Sequence, residues 1–379
     1  MKKAYNETWI DNLAIQQTAE NWRSKKLITD EQFASVKAIF PENFYRPGLF
    51  VKIGLFIFAC IACSFFTGFI SLFILDAGDQ AFSVVSILCC ISFTLFLEYL
   101  IKDRKLFHSG IDNALLYAAL GASVVPFFML FDNLEIWQYC VLALIILTAA
   151  TIRYADLFVV IGAYLVIFLL LANLMMKFPL GKALLPFAVI ALSLIIFYLS
   201  KKIKSTYYAD CKNVVEVLAL VTLYLGGNYY IVREGNALLS DLSYLISPQI
   251  PFAPIFYGLS AIIPLAYVFL GLKFKDRILL LVGLFALGFS IFTYRYYFDF
   301  MTVAQGLTIL GFLMIMLSIV CIRFLKETKY GLTDEADDER KTANLEALIA
   351  SQYLGQTPQE QGLEFGGGSF SGGGAGNGY

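Results

Sequence analysis

The feature that most constrains this chain is a series of ten long runs without Asp, Glu, Lys or Arg. They span residues 53–75, 80–97, 113–131, 136–152, 157–176, 183–200, 217–232, 242–272, 278–294 and 300–322. Crossing about 30 Å of hydrocarbon at 1.5 Å per residue takes roughly 20 apolar residues in a helix. Within lipid each backbone N–H and C=O must be satisfied inside its own segment, so such runs fold as helices. The 242–272 run is too long for one crossing and carries Pro248, Pro251 and Pro254, so its span starts near Phe256. The expectation is an all-α, polytopic transmembrane bundle of about ten spans, with the lipid bilayer as its first partner.

Composition agrees. Charged residues are 15% of the chain and hydrophobic ones 59%, with a mean hydropathy of +0.72. Soluble domains carry about 25% charged residues. A formal net charge of −1 argues against a nucleic-acid partner. Six of the seven cysteines fall in apolar runs, where no disulfide framework is expected. The Cys60-x-x-Cys63 pair sits mid-run and reads as packing, because redox and zinc pairs lie at helix ends or loops. No signal peptide precedes the first span: Met1-Lys2-Lys3 leads into Tyr5, Asn6, Glu7 and Thr8.

Loop charge gives an orientation. With the N-terminus in the cytoplasm, the cytoplasmic loops hold Lys102, Arg104, Lys105, Arg153, Lys201, Lys202, Lys204, Lys212, Lys273, Lys275 and Arg277. The opposite loops hold only Lys177, Lys182, Arg233 and Arg295. Ten spans then place both termini in the cytoplasm.

Three regions follow: residues 1–48, a transmembrane domain over 49–323, and a tail over 324–379. The first reads as a two-helix hairpin. Helix one covers about 7–25, with Ile10, Leu13, Ala14, Ala19 and Trp22 near one face. Thr29 and Gln32 form a capping box for helix two, flanked by a staple of Ile28 and Phe33, and Pro41 ends it. In the tail, Thr333 starts a short helix over 334–354. Residues 362–379 hold nine glycines, with Phe365, Phe370 and Tyr379 as their only aromatics, and are expected to be disordered. The hairpin and the tail are the places where a protein partner is expected.

The stretch "AENWRSKKLITDEQFASVKAIF", followed by "GLFVKIGLFIFACIA" entering the first span, resembles the bacterial predicted-membrane-protein family defined by domain of unknown function 2157. Ile28, Thr29, Glu31 and Gln32 match its turn, while Lys26 stands where a Gly is usual. The late "FTYRYYFDFMTVAQGLTILGFLMIM" is also similar. The resemblance implies a bacterial inner-membrane protein and carries no activity with it.

Candidate functional positions are few. Glu98 and Glu216 are acids beside apolar sequence, each four residues from a lysine, Lys102 and Lys212. They read either as interfacial i,i+4 pairs or as a shared polar pocket at the cytoplasmic mouth. His108 is the sole histidine, which leaves little for a His-based zinc site or a Ser-His-Asp triad. No catalytic residue, cofactor or metal site is read, and no P-loop or G-x-S-x-G is present. Gly226, Gly227 and Asn228 end one span and read as a packing notch or an unwound end lining a cavity. The loop 233–255 would then be its lid, with Leu238, Leu239, Leu242 and Leu245 at helical spacing. Pro126 and Pro264 close matching "ASVVP" and "SAIIP" segments, which suggest an inverted five-plus-five repeat or two unrelated kinks. Two functions stay open: a small-molecule transporter or binding protein, and a non-transporting sensor or scaffold. Convergence of Gln138, Asn173 and Asn228 would favour the first.

Overall fold

The structure is a computed structural model. It describes residues 3–24, 27–73, 79–131, 133–239 and 247–297, and eight isolated positions between 305 and 323. The C-terminal compact unit, Glu335–Tyr379, lies outside the described residues together with the expected tail helix and glycine-rich end.

The fold is all-α. Helix α1 (Glu7–Ser24) and α2 (Asp30–Ile39) form the hairpin. Eight long apolar helices follow: α3 (Leu49–Leu72), α4 (Asp79–Asp103), α5 (Ile111–Leu130), α6 (Ile136–Tyr154), α7 (Leu157–Met176), α8 (Gly181–Lys201), α11 (Ala253–Phe274) and α12 (Arg277–Tyr297). Between α8 and α11 a ninth crossing is broken. After a 3₁₀ turn at Thr206–Tyr208, α9 (Ala209–Gly227) meets α10 (Tyr229–Leu238) at a bend of 77°. The chain is therefore a multi-pass membrane protein by the length and composition of its helices. The tenth expected run, 300–322, falls mostly outside the described residues; the described positions within it are helical.

The hairpin forms as its capping residues dictate. Thr29 Oγ1 accepts from Gln32 N at 3.2 Å, and Gln32 Oε1 accepts from Thr29 N at 2.9 Å. Ile10, Leu13, Gln16 and Ala19 form the buried face of α1. Trp22, expected on that face, is exposed, because α2 is only ten residues long. Gln16 and Asn12 instead donate to the carbonyls of Phe40 and Pro41, closing the C-terminal end of α2.

The spans pack as consecutive hairpins, α4–α5, α6–α7, α8–α9 and α11–α12. Their short turns gather on one side, here called the near face, where the N-terminal hairpin also sits. Ala4 N donates to Arg153 O at 2.9 Å, Tyr45 N donates to Lys105 O at 2.9 Å, and Tyr207 donates to Arg153 O. Lys201 at the end of α8 pairs with Asp276 in the α11–α12 turn at 2.6 Å. Gly110, with φ of 104°, lets the α4–α5 turn meet the start of α3: a Cβ there would lie 2.3 Å from Lys52 O. The opposite side, the far face, carries the α9–α10 elbow.

This pairing opposes the five-plus-five repeat. In such a repeat α4–α5 would correspond to α9–α11, which pack much less extensively.

Candidate functional site

The α9–α10 elbow is built by three consecutive residues. Gly226 and Gly227 press α9 between its neighbours: a Cβ on Gly226 would lie 3.1 Å from Val189 on α8, and one on Gly227 would lie 2.4 Å from Ile263 on α11. Close backbone approach of this kind is what small residues permit in membrane helices. Asn228 then leaves helical geometry (φ −81°, ψ 124°), and its Oδ1 accepts from Ile231 N, so it caps α10.

Breaking a helix inside a bundle strands backbone groups, and a neutral network absorbs them. Asn228 Nδ2 donates to Tyr224 Oη (2.8 Å) and Thr293 Oγ1 (3.0 Å). Tyr229 N, left without a helical partner, donates to Ser260 Oγ at 2.9 Å. Ser290 Oγ lies 2.7 Å from Tyr224 Oη and 2.6 Å from Ser260 O. That carbonyl is free because Pro264, four residues on, has no N–H. Pro126 receives the same treatment, since Ser86 Oγ donates to the freed Ala122 O at 2.7 Å. The donor comes from the preceding helix for Pro126 and from the following helix for Pro264. The likeness of the two proline segments is therefore local chemistry and does not extend to the surrounding packing.

The inner angle of the elbow encloses a cavity of about 220 Å³. Leu185, Pro186, Val189, Leu225, Ile231, Ile250 and Phe256 supply apolar walls, and Lys182 and Asn236 are its main polar groups. Gly235 faces it with nothing within 4 Å of its would-be Cβ. Helix α10 is the cover. Its middle is clamped by Arg233, which donates to Ser247 O and to Tyr229 Oη, and by Glu234, which accepts from Tyr297 Oη at 2.5 Å. Tyr229 Oη also donates to Gln249 at 2.6 Å. Of the four leucines expected in a lid, Leu238 and Leu239 are exposed and Leu239 rims the cavity. Leu242 and Leu245 lie outside the described residues.

The near face holds the charged groups. Glu98 does not rely on Lys102. It accepts from Arg153 Nε and Tyr154 Oη of α6, both at 2.6 Å. Glu216 is 2% exposed, too buried for an interfacial residue reaching into water; Lys201 bonds it at 2.8 Å and Lys212 stands 3.8 Å away. The two glutamates occupy separate networks, so they share no pocket. Asp276, which shares Lys201, is desolvated by burial, yet the lysine and two backbone N–H groups hold its carboxyl below the usual range.

Two buried carboxylates were missed in the sequence: Asp112 (1% exposed) and Asp156 (2%). Asp112 accepts from Tyr5 Oη, Ser109 N and Ser109 Oγ. Asp156 caps α7 through Val159 N and accepts from Asn113 and Tyr117. His108 Nδ1 is 4.0 Å from Asp156. Burial pushes the His108 pKa below its ordinary value, against the opposing pull of Asp112 and Asp156. Both acids stand beside helix starts, where aspartate is favoured, and the Asp156-Leu157 boundary is a readable N-cap signal.

Gln138 bonds Glu135 at the start of α6, Asn228 bonds within the elbow, and Asn173 Oδ1 is buried without a partner; the three do not converge. Cys60 and Cys63 are free thiols. Among the described residues no cluster of His, Cys, Asp and Glu is arranged to hold a metal. No family model, curated protein or solved structure matches the chain, and function is therefore read from geometry alone.

Proposed function

We propose that this membrane protein binds a small, mostly apolar molecule in the elbow between α9 and α10. The carrying observation is the 77° break whose inner angle holds a walled cavity of about 220 Å³. Apolar pockets with a few convergent polar groups are the usual form of small-molecule sites. Binding is favoured over passage by the position of the break. Helix α9 has 19 residues, roughly 28 Å at 1.5 Å per residue, so it crosses the hydrocarbon before it bends. Transporters place their broken helices near the midplane; this elbow opens at the membrane boundary. The Lys and Arg bias supports a cytoplasmic near face and a far face outside. The resemblance stated above supports a bacterial inner membrane.

The test is thermal unfolding in lipid nanodiscs with small apolar probes, comparing the wild type with Gly235→Phe. A Cβ at position 235 meets nothing within 4 Å, and the phenyl ring is introduced there to occupy the cavity. Probe-dependent stabilisation of the wild type that Gly235→Phe removes is the expected result; equal responses of both proteins refute the site.

The sensor or scaffold reading keeps one specific support, the exposed Trp22, Leu27 and Ile39 on the N-terminal hairpin. It predicts that Trp22→Ser with Ile39→Ser abolishes capture of a partner in the cell and leaves elbow binding unchanged.

A further inference from the structure

We infer that the elbow ligand is an amphipathic anion, a single negative head group on a short apolar body; this rests on the binding reading above. Among the described residues Lys182 is the only charged one lining the cavity, and no described carboxylate lines it. Its ammonium donates to the neutral Leu239 carbonyl at 3.0 Å, and no acid pairs with it among the described residues. Two of its three N–H donors remain for a ligand. The Asn236 amide, also at the cavity, makes no hydrogen bond among the described residues. Lys182 thus differs from Lys177, which is committed to Glu135, and from Lys201, which is held by two carboxylates. A cationic ligand would meet repulsion here, and an anionic one gains a charge-assisted hydrogen bond that a neutral one does not. The size fits a small body. An apolar cavity of about 150 Å³ accepts benzene, so about 220 Å³ takes one ring or a short chain. Lys182 lies in the first turn of a span at the membrane boundary, where an anionic head group stays near water while its tail enters the elbow.

The ligand chemistry has two sources: a soluble carboxylate arriving from the far side, or a lysophospholipid from the leaflet. Thermal midpoints in zwitterionic nanodiscs separate the possibilities, with octanoate and octanol as probes. Octanoate is expected to bind the wild type at least tenfold more tightly than octanol, since a hydrogen bond to a charged group contributes about 1.5–3 kcal/mol. Lys182→Gln should remove that advantage, Lys182→Arg should keep it, and Gly235→Phe should abolish both responses. Equal affinity for octanoate and octanol, or octanoate binding unchanged in Lys182→Gln, overturns the anion proposal while leaving the cavity intact as a site. Identical responses of the wild type and Gly235→Phe to both probes overturn the site itself. Adding an anionic lysophospholipid to the nanodiscs identifies the source. Loss of the octanoate response in the wild type points to the leaflet, and an unchanged response points to the aqueous side.

Discussion

The two faces of this bundle solve the problem of polar groups in a membrane protein in opposite ways. On the near face Glu98, Glu216, Asp112, Asp156 and Asp276 are held by cations, helix starts and hydroxyls, and the spans join through tight turns. On the far face a spanning helix breaks, and its stranded groups are absorbed by neutral side chains of Asn228, Tyr224, Ser260, Ser290 and Thr293. A charged network fixes geometry and leaves little room. A neutral network permits a 77° bend and the cavity inside it. The lesson is that the densest cluster of ionisable groups marks how this chain is assembled, and the break in a helix marks the place we propose for binding.

The contrast is breakable by substitution. The largest effect is expected from Lys201→Met, which leaves Glu216 buried with only Lys212 nearby and takes the lysine from Asp276 as well; Lys201 is itself 38% exposed, so the cost falls short of that for a fully buried pair, about 3–5 kcal/mol. Chemical denaturation in mild detergent measures it. Asn228→Ala removes a cap and two buried hydrogen bonds, and about 2 kcal/mol is expected, with faster hydrogen exchange in α10 while α4 and α5 are unchanged. Ser86→Ala should cost about 1 kcal/mol by orphaning the Ala122 carbonyl. That cost should vanish when Pro126→Ala restores the helical N–H, a double-mutant cycle that isolates the proline's part.

Acid should separate the faces as well. His108 has a folded pKa below its ordinary value of about 6.5, so the unfolded chain takes up the proton first. The stability tied to neutral His108 is complete above that value and declines as pH falls through it. Residues 3–6, held by Tyr5 on Asp112, should show lower amide-exchange protection factors, corrected for the intrinsic pH dependence of exchange, at pH 5.5 than at pH 7.5, and His108→Gln should remove most of the difference. Asp276, with its depressed pKa, releases its contribution only below about pH 4. The neutral network of Asn228, Tyr224, Ser260, Ser290 and Thr293, which holds no carboxyl or imidazole, should not respond between pH 7.5 and 5.5.

Much of the fold was legible in the chain. Charge-free runs of spanning length specify helices by themselves, and Thr29 with Gln32 marked the start of α2. The elbow was legible in part, because two glycines before an asparagine allow either a notch or a break. Neighbouring residues decide between these. Ser260 and Thr293, distant in sequence, supply the partners that make the break affordable to the backbone. Asp112 and Asp156 were overlooked because loop acids look solvated until the N-terminal segment is seen to cover them. Lys182 was read only as a loop charge, since the cavity it rims exists only once α10 has folded back over α8 and α9.

The most direct test of the central claim is thiol protection at the cavity, using Gly235→Cys and a small maleimide applied from the far side. The elbow account predicts alkylation in the empty protein and strong, concentration-dependent slowing by octanoate, with no such slowing when the thiol is placed at Leu238, which points outward. Alkylation at position 235 that octanoate does not slow, or equal slowing at both positions, would contradict a ligand site in the α9–α10 elbow.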